Sequence, residues 1–208
     1  MSLTDPHRIA SVAALEALYG EPAETSLSKE VDHIHPVYRS MIEASPFAVL
    51  ATVGPDGLDV SPRGDAPGFV HVQDEHTLLV PDRRGNNRLD SLRNLLVDPR
   101  VALIFLIPGV NETLRVNGRA TISADPALLQ RFTVSGKPPA TVLVVAVETV
   151  FFQCAKALVR SRLWDAAAQI ERSRLPSTGT ILSALTATEI DADAYDQALP
   201  ARVQATLY

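Results

Sequence analysis

Between Phe47 and Phe152 the chain passes through six or seven short apolar stretches rich in β-branched residues, separated by turn signals and by only brief helical spacing. That rhythm excludes a parallel α/β sheet, whose strands need long crossover helices, and leaves an antiparallel barrel or sandwich. Phe47 to Val53 is apolar, Gly54-Pro55-Asp56-Gly57 is a turn, and Leu58 to Ser61 resumes as a second strand. Phe69 to Val72 and Thr77 to Val80 flank Asp74-Glu75-His76 as a second hairpin. Val101 to Ile107 ends at Pro108-Gly109. From Leu114 to Ile122, Arg115, Asn117 and Arg119 alternate with Leu114, Val116 and Ala120, so one face is buried and the other polar. Thr141 to Phe152 is a long buried strand.

Helices are expected around this sheet. Ile9 to Tyr19 reads as an amphipathic helix, and Leu89 to Val97 as one closed by Asp98-Pro99. Asp125-Pro126 opens a short helix through about Phe132, and Gly136 to Pro139 is a loop. After Trp164 the chain turns helical and alanine-rich, with a break at Leu175-Pro176-Ser177 and Ser177 as a cap. The expected organisation is a helical extension over 1–40, a β domain over 41–164 and a C-terminal helical extension over 165–208, forming one globular unit.

The second hairpin delivers Pro81-Asp82-Arg83-Arg84-Gly85-Asn86-Asn87-Arg88 to the start of a helix. Three arginines beside unpaired helix N–H groups make an anion site, with Gly85 allowing close backbone approach, Asn86 or Asn87 as cap and Arg88 in the first turn. The plainer reading has these arginines solvate a turn and pair with Asp82 and Asp90. A cation placed against the helix dipole favours a phosphate.

Ser61-Pro62-Arg63-Gly64-Asp65 would be an ordinary turn, except that it puts another arginine at the mouth of the same sheet. In Cys154 to Trp164, a helix would align Lys156, Arg160 and Trp164 at i, i+4 and i+8, either facing an anionic aromatic ligand or snorkelling at the surface. Cys154 is the single cysteine, which excludes an intrachain disulfide framework and fits a reducing, cytoplasmic compartment; as a type it reads as a small buried hydrophobe. His33 and His35 lack further ligands at metal-site spacing, so no metal is expected, and His71 and His76 read as exposed. A net charge of -5 argues against nucleic acid. The longest apolar run, Val142 to Phe152, is interrupted by Glu148, so no membrane span is expected.

In combination these segments resemble the flavin mononucleotide (FMN)-binding split β-barrels related to pyridoxamine 5′-phosphate oxidase. The similarity covers about Pro36 to Trp164. It rests on Ser45-Pro46-Phe47-Ala48-Val49-Leu50-Ala51-Thr52, the basic loop before a helix, Asp98-Pro99-Arg100-Val101-Ala102-Leu103-Ile104-Phe105, and Leu114-Arg115-Val116-Asn117-Gly118-Arg119-Ala120. Ser61 to Asp65, Arg84 to Arg88, Leu114 to Ala120 and Cys154-Ala155-Lys156-Ala157 resemble a bacterial subgroup of FMN-dependent oxidoreductases within it.

The resemblance implies an α+β fold: a six- to seven-stranded antiparallel split β-barrel with N- and C-terminal helical appendages. It implies FMN as cofactor, a small-molecule substrate, and a homodimer with flavin at the subunit interface. By position it implicates Arg83, Arg84, Asn87 and Arg88 in holding the phosphate, and Arg63 with Gly64 in a further flavin contact. The backbone at Val80 and Pro81 would run beside the ring, and Thr113 stands where the oxidase uses a glutamine. Lys156, Arg160 and Trp164 would reach the flavin of the partner chain. The C-terminal segment Ala201 to Tyr208 lacks the oxidase's tryptophan and Arg-Leu-His substrate pattern, which argues against pyridoxamine phosphate oxidation. Split barrels of this kind also use a deazaflavin or act on haem, and a non-catalytic flavin-binding or sensing module is the alternative outside enzymes.

Overall fold

The computed structural model describes residues 5, 7–187 and 189–208. Its centre is one antiparallel sheet of seven strands: β1 (Phe47–Gly54), β2 (Gly57–Gly64), β3 (His71–Asp74), β4 (Thr77–Asp82), β5 (Arg100–Leu106), β6 (Thr113–Ser123) and β7 (Thr141–Gln153). They pair in the order β2-β1-β5-β6-β7-β4-β3. The two hairpins, β1–β2 and β3–β4, are thus inserted at opposite ends of the ladder, with β5–β6–β7 between them. Although four strands separate β2 from β4 in this order, Arg63 of β2 and Asp82 of β4 approach to 3.7 Å. Only a strongly curled sheet brings them together, as barrel closure requires.

The curl encloses the core. Strands alternate buried and exposed positions, so Ala48 and Leu50 of β1, Leu103 and Phe105 of β5, Leu114 and Val116 of β6, and Leu143 and Val145 of β7 meet in one cluster. Phe105, Leu50, Leu78, Leu103, Leu114 and Leu143 are fully buried. Each contributes roughly 1.5–3 kcal/mol relative to an exposed side chain.

Two glycines allow close approaches that a side chain would block. A Cβ on Gly118, at the bulge where β6 slips against β7, would stand 2.1 Å from the Ala146 carbonyl oxygen. One on Gly54 would stand 2.0 Å from Asn94 Oδ1. Asn94 instead fills that space and donates to Thr52 Oγ1 at 3.1 Å, seating its helix on β1.

The helices are α1 (Val12–Tyr19), α2 (Glu24–Leu27), α3 (Pro36–Ala44), α4 (Asp90–Val97), α5 (Pro126–Arg131), α6 (Lys156–Ser161), α7 (Thr178–Leu185) and α8 (Ala192–Ala205). Two of them close the core. In α3, Pro36 occupies the first turn, where a missing N–H costs nothing, and Tyr38 and Ile42 are buried. In α4, Leu95 and Ser91 are buried.

The termini differ from expectation. The first helix starts at Val12, capped by Ser11, and buries no residue, so Val12, Leu15 and Leu18 lie exposed rather than docked. Beyond Trp164 the chain makes two single 3-10 turns, Ala166–Ala168 and Arg172–Arg174, before Ser177 caps α7. Helices α7 and α8 then pack on each other, with Asp196 Oδ1 accepting from Gly179 N at 2.7 Å. No helix among the described residues is long and apolar enough to cross a membrane.

Candidate functional site

A cavity of about 930 Å³ opens where the curled sheet brings the ends of β2 and β4 together. Its walls come from Ser61 to Gly64, from Pro81 through Leu92, from the loop Lys137 to Thr141, and from Tyr208. Register explains the third wall, since Asp82 pairs with Thr141 at the start of β7. The chain just before β7 therefore lies beside the arginine loop.

The structure brings Arg63, Gly64, Pro81, Arg83, Arg84, Asn87 and Arg88 to this one cavity. Arg63 donates through Nη1 to Ser61 Oγ at 2.8 Å and to the Pro62 carbonyl at 2.9 Å. Its Nε is buried and has no partner, and neither has Thr141 Oγ1 across the cavity. Arg115 Nε and Thr133 Oγ1, away from the cavity lining, are likewise buried without a partner among the described residues.

Arg83 and Arg84 divide the work. Arg83 is largely buried and donates through Nε to Asp65 Oδ2 at 2.7 Å, with Nη1 on the Phe132 carbonyl. Asp65 also accepts from the Tyr208 hydroxyl and from Ala66 N. Burial pushes the Asp65 carboxyl up, but the hydrogen bonds from Tyr208, Ala66 and Arg83 outweigh it and hold the group below the ordinary carboxylate range. Arg84 is exposed and has no hydrogen-bond or ion-pair partner among the described residues. Asp82, by contrast, is pushed up by burial, which the Arg63 charge only partly offsets.

The loop geometry departs from the expected capping. The helix α4 begins at Asp90, and Leu89, at its N-cap, has φ 62° and makes no side-chain cap bond. Neither asparagine caps the helix: Asn86 Oδ1 accepts from Arg88 N at 3.1 Å, and Asn87 takes φ 59°. Left-handed backbone at Leu89 is costly for a branched side chain, and such strain gathers at binding loops. Arg88 precedes the first turn and pairs with Asp90 at 2.7 Å, so the dipole argument does not apply to it. A Cβ on Gly85 would meet nothing within 4 Å, so no packing in this chain demands that glycine.

The remaining candidates lie elsewhere. Val80 is 1% exposed and belongs to the core, with the adjoining Pro81 on the cavity wall. Thr113 is buried, donating to Gln153 Oε1 at 3.1 Å. Lys156 and Arg160 are exposed on α6. The expected helical stripe fails because α6 ends at Arg162, which takes φ 54°, and Trp164 turns away to donate Nε1–H to the Val110 carbonyl at 2.7 Å. Cys154 is exposed rather than buried. His33 lies near His35 and His76, with ring centroids 6.3 and 6.2 Å away, but no group of three or more metal-ligating residues with metal-site geometry occurs among the described residues.

Sequence reasoning missed part of the cavity wall. Lys137 could have been found from the β4–β7 register, because its loop leads into the strand beside Asp82. Tyr208 carries no such signal.

A family model described as pyridoxamine 5′-phosphate oxidase matches residues 34–154. No curated protein matches the chain. Among solved structures, HupZ of Group A Streptococcus is similar at 18% identity, covering 57% of this chain and 93% of that one with a TM-score of 0.47. General Stress Protein 26 of Bacillus anthracis gives 18% identity, 54% and 88% coverage and a TM-score of 0.41. A protein of Clostridium acetobutylicum related to general stress protein 26, of the pyridoxinephosphate oxidase family, gives 16% identity, 55% and 83% coverage and 0.44. The family match spans more than half the chain, including every strand and the whole arginine loop, and the curled antiparallel sheet is the split barrel that the resemblance implies. This chain belongs to the pyridoxamine 5′-phosphate oxidase family.

Proposed function

We propose that the cavity at the arginine loop holds the phosphate of FMN and that the protein is an FMN-dependent oxidoreductase acting on a small molecule. The observation that carries this reading is the basic lining of one cavity: Arg84, exposed and without a hydrogen-bond or ion-pair partner among the described residues, stands there with Arg63, Arg83 and Arg88. A dianionic phosphate supplies acceptor oxygens for the unpartnered Arg84 fork, and guanidinium forks suit it best. Arg83, already neutralised by Asp65, shapes the site rather than supplying net charge.

FMN, when bound, supplies the redox chemistry of its ring. The chain's own part is to bind and to exclude. Arg84, with Arg63, would draw the phosphate in. The loop Lys137 to Ala140 would limit water on the opposite rim. In family terms the site is completed by a second subunit, which gives the exposed Lys156 and Arg160 a partner-facing role and makes a homodimer the assembly to expect.

The test is direct. Purified protein should be yellow, release FMN on denaturation as judged by mass spectrometry, and take up added FMN when stripped. Protein that neither carries nor takes up FMN sinks the reading. Reduction of the bound flavin by a nicotinamide cofactor in stopped flow, followed by reoxidation in air, distinguishes an enzyme from a flavin-binding module; a flavin that no donor reduces removes the oxidoreductase.

A further inference from the structure

Tyr208 lies beyond α8 and yet forms part of the cavity wall, 125 residues from Arg83 in sequence. Its three contacts go to three different parts of the site. The hydroxyl donates to Asp65 Oδ1 at 2.7 Å, the ring faces the Arg83 guanidinium 5.6 Å from its centroid, and the main-chain carbonyl accepts from Lys137 Nζ at 2.9 Å.

The contacts form a closed arrangement. Asp65 gives Oδ1 to Tyr208 and to its neighbour Ala66 N and Oδ2 to Arg83, so the phenol shares with Ala66 in orienting the carboxylate that in turn fixes Arg83. The Asp65 side chain is only 5% exposed, and hydrogen bonds in so dry a position constrain more than surface ones. Lys137 ties the same residue to the rim before β7. Tyr208 does not fill the cavity, because about 930 Å³ remains open with the phenol in place.

We propose that Tyr208 is a positioning residue of the anion site: it holds Asp65 and Lys137 so that Arg83 and the 137–140 rim stand ready for a phosphate-bearing ligand. The inference rests on the FMN reading for its ligand and on the geometry above for its mechanism. It assigns the C-terminal segment a part in binding, linking cofactor affinity to a residue outside the family-matched region, which ends at residue 154.

The test compares the full chain with Tyr208→Phe, which keeps the ring on Arg83 and loses only the hydroxyl, and with Tyr208→Ala. FMN and riboflavin are titrated by flavin fluorescence, inorganic pyrophosphate by calorimetry, and Tm is measured alongside. Tyr208→Phe should weaken FMN and pyrophosphate alike by about tenfold, with riboflavin affinity unchanged and Tm lowered by only about 2–4 °C. Tyr208→Ala should weaken them at least as much.

Unchanged affinity for both phosphate ligands in both variants overturns the proposal. So does an equal loss for riboflavin and FMN, which would make Tyr208 a ring contact or a general support, and so does tighter binding, which would make it a plug. Wild-type protein that binds pyrophosphate but no FMN refutes the flavin reading alone, and the pyrophosphate comparison then decides the role of Tyr208. Wild-type protein that binds neither overturns both.

Discussion

The two walls of the cavity are built on opposite principles. On the inner wall Arg83 and Tyr208, both at the cavity, converge on the buried side chain of Asp65, tied by Tyr208 to Lys137. On the outer wall, Arg84 to Leu89 is exposed, runs through left-handed backbone at Asn87 and Leu89, and leaves Arg84 unpartnered among the described residues. The first is electrically balanced and internally hydrogen-bonded. The second keeps its charge for something else. Arginines adjacent in sequence thus do different work, and burial with a partner, not residue type, decides which is structural.

Removing the partner on the inner wall should have the largest effect. Asp65→Ala leaves Arg83 buried without its carboxylate, and urea unfolding should show a loss of about 3 kcal/mol, because an uncompensated buried charge is expensive. A loss under about 0.5 kcal/mol, typical of exposed pairs, would erase the distinction between the walls.

The outer wall should respond in affinity instead. Arg84→Ala combined with Arg88→Ala should weaken FMN about 100-fold in a fluorescence titration, as expected when charge-assisted phosphate contacts are lost. Stability should move by less than about 0.5 kcal/mol, since Arg88 and Asp90 form an exposed pair. Arg88→Ala alone should give the smaller share of the affinity loss, because Arg88 is already engaged by Asp90.

The smallest effect separates the two acids by pH. Asp65 has a depressed pKa in the folded chain, so its contribution to stability is present above the unfolded carboxylate value of about 3.9 and is lost as pH falls through the lower folded value. Asp82 has a raised folded pKa, so its ionisation opposes folding, fully so above that raised value. Asp82→Asn should therefore raise the urea midpoint at pH 7, and the gain should fade as pH falls through the raised folded value and vanish well below about 3.9, where both states of Asp82 are protonated. Asp65→Asn should do the reverse, destabilising at pH 7 and converging with wild type in acid. Parallel pH profiles for the two variants would show that the acids share one environment.

Much of the fold is legible in the sequence because it depends on local periodicity. The alternation of Leu114, Val116 and Ala120 with Arg115, Asn117 and Arg119 reports a strand buried on one face, and β6 follows it. Asp125-Pro126 and Ser177 report helix starts through their own hydrogen-bonding chemistry, and both cap as read. Where the expectation fails, a non-local or backbone term prevails. The stripe of Lys156, Arg160 and Trp164 assumes a helix that continues, and the left-handed turn at Arg162 ends it. The asparagine cap assumes ordinary entry into α4, whereas Leu89 enters in a left-handed conformation.

By itself the sequence determined the strand set, the hairpins, the arginine loop and membership of the family, because each is written in nearest-neighbour pattern or in motif order. The tertiary structure alone decided which cations are free. That depends on a sheet curling until β2 meets β4, on the register that puts Thr141 opposite Asp82, and on Tyr208 returning to Asp65 across 143 residues. Such contacts join groups far apart in the chain, and only burial and electrostatics in the folded state set their strength.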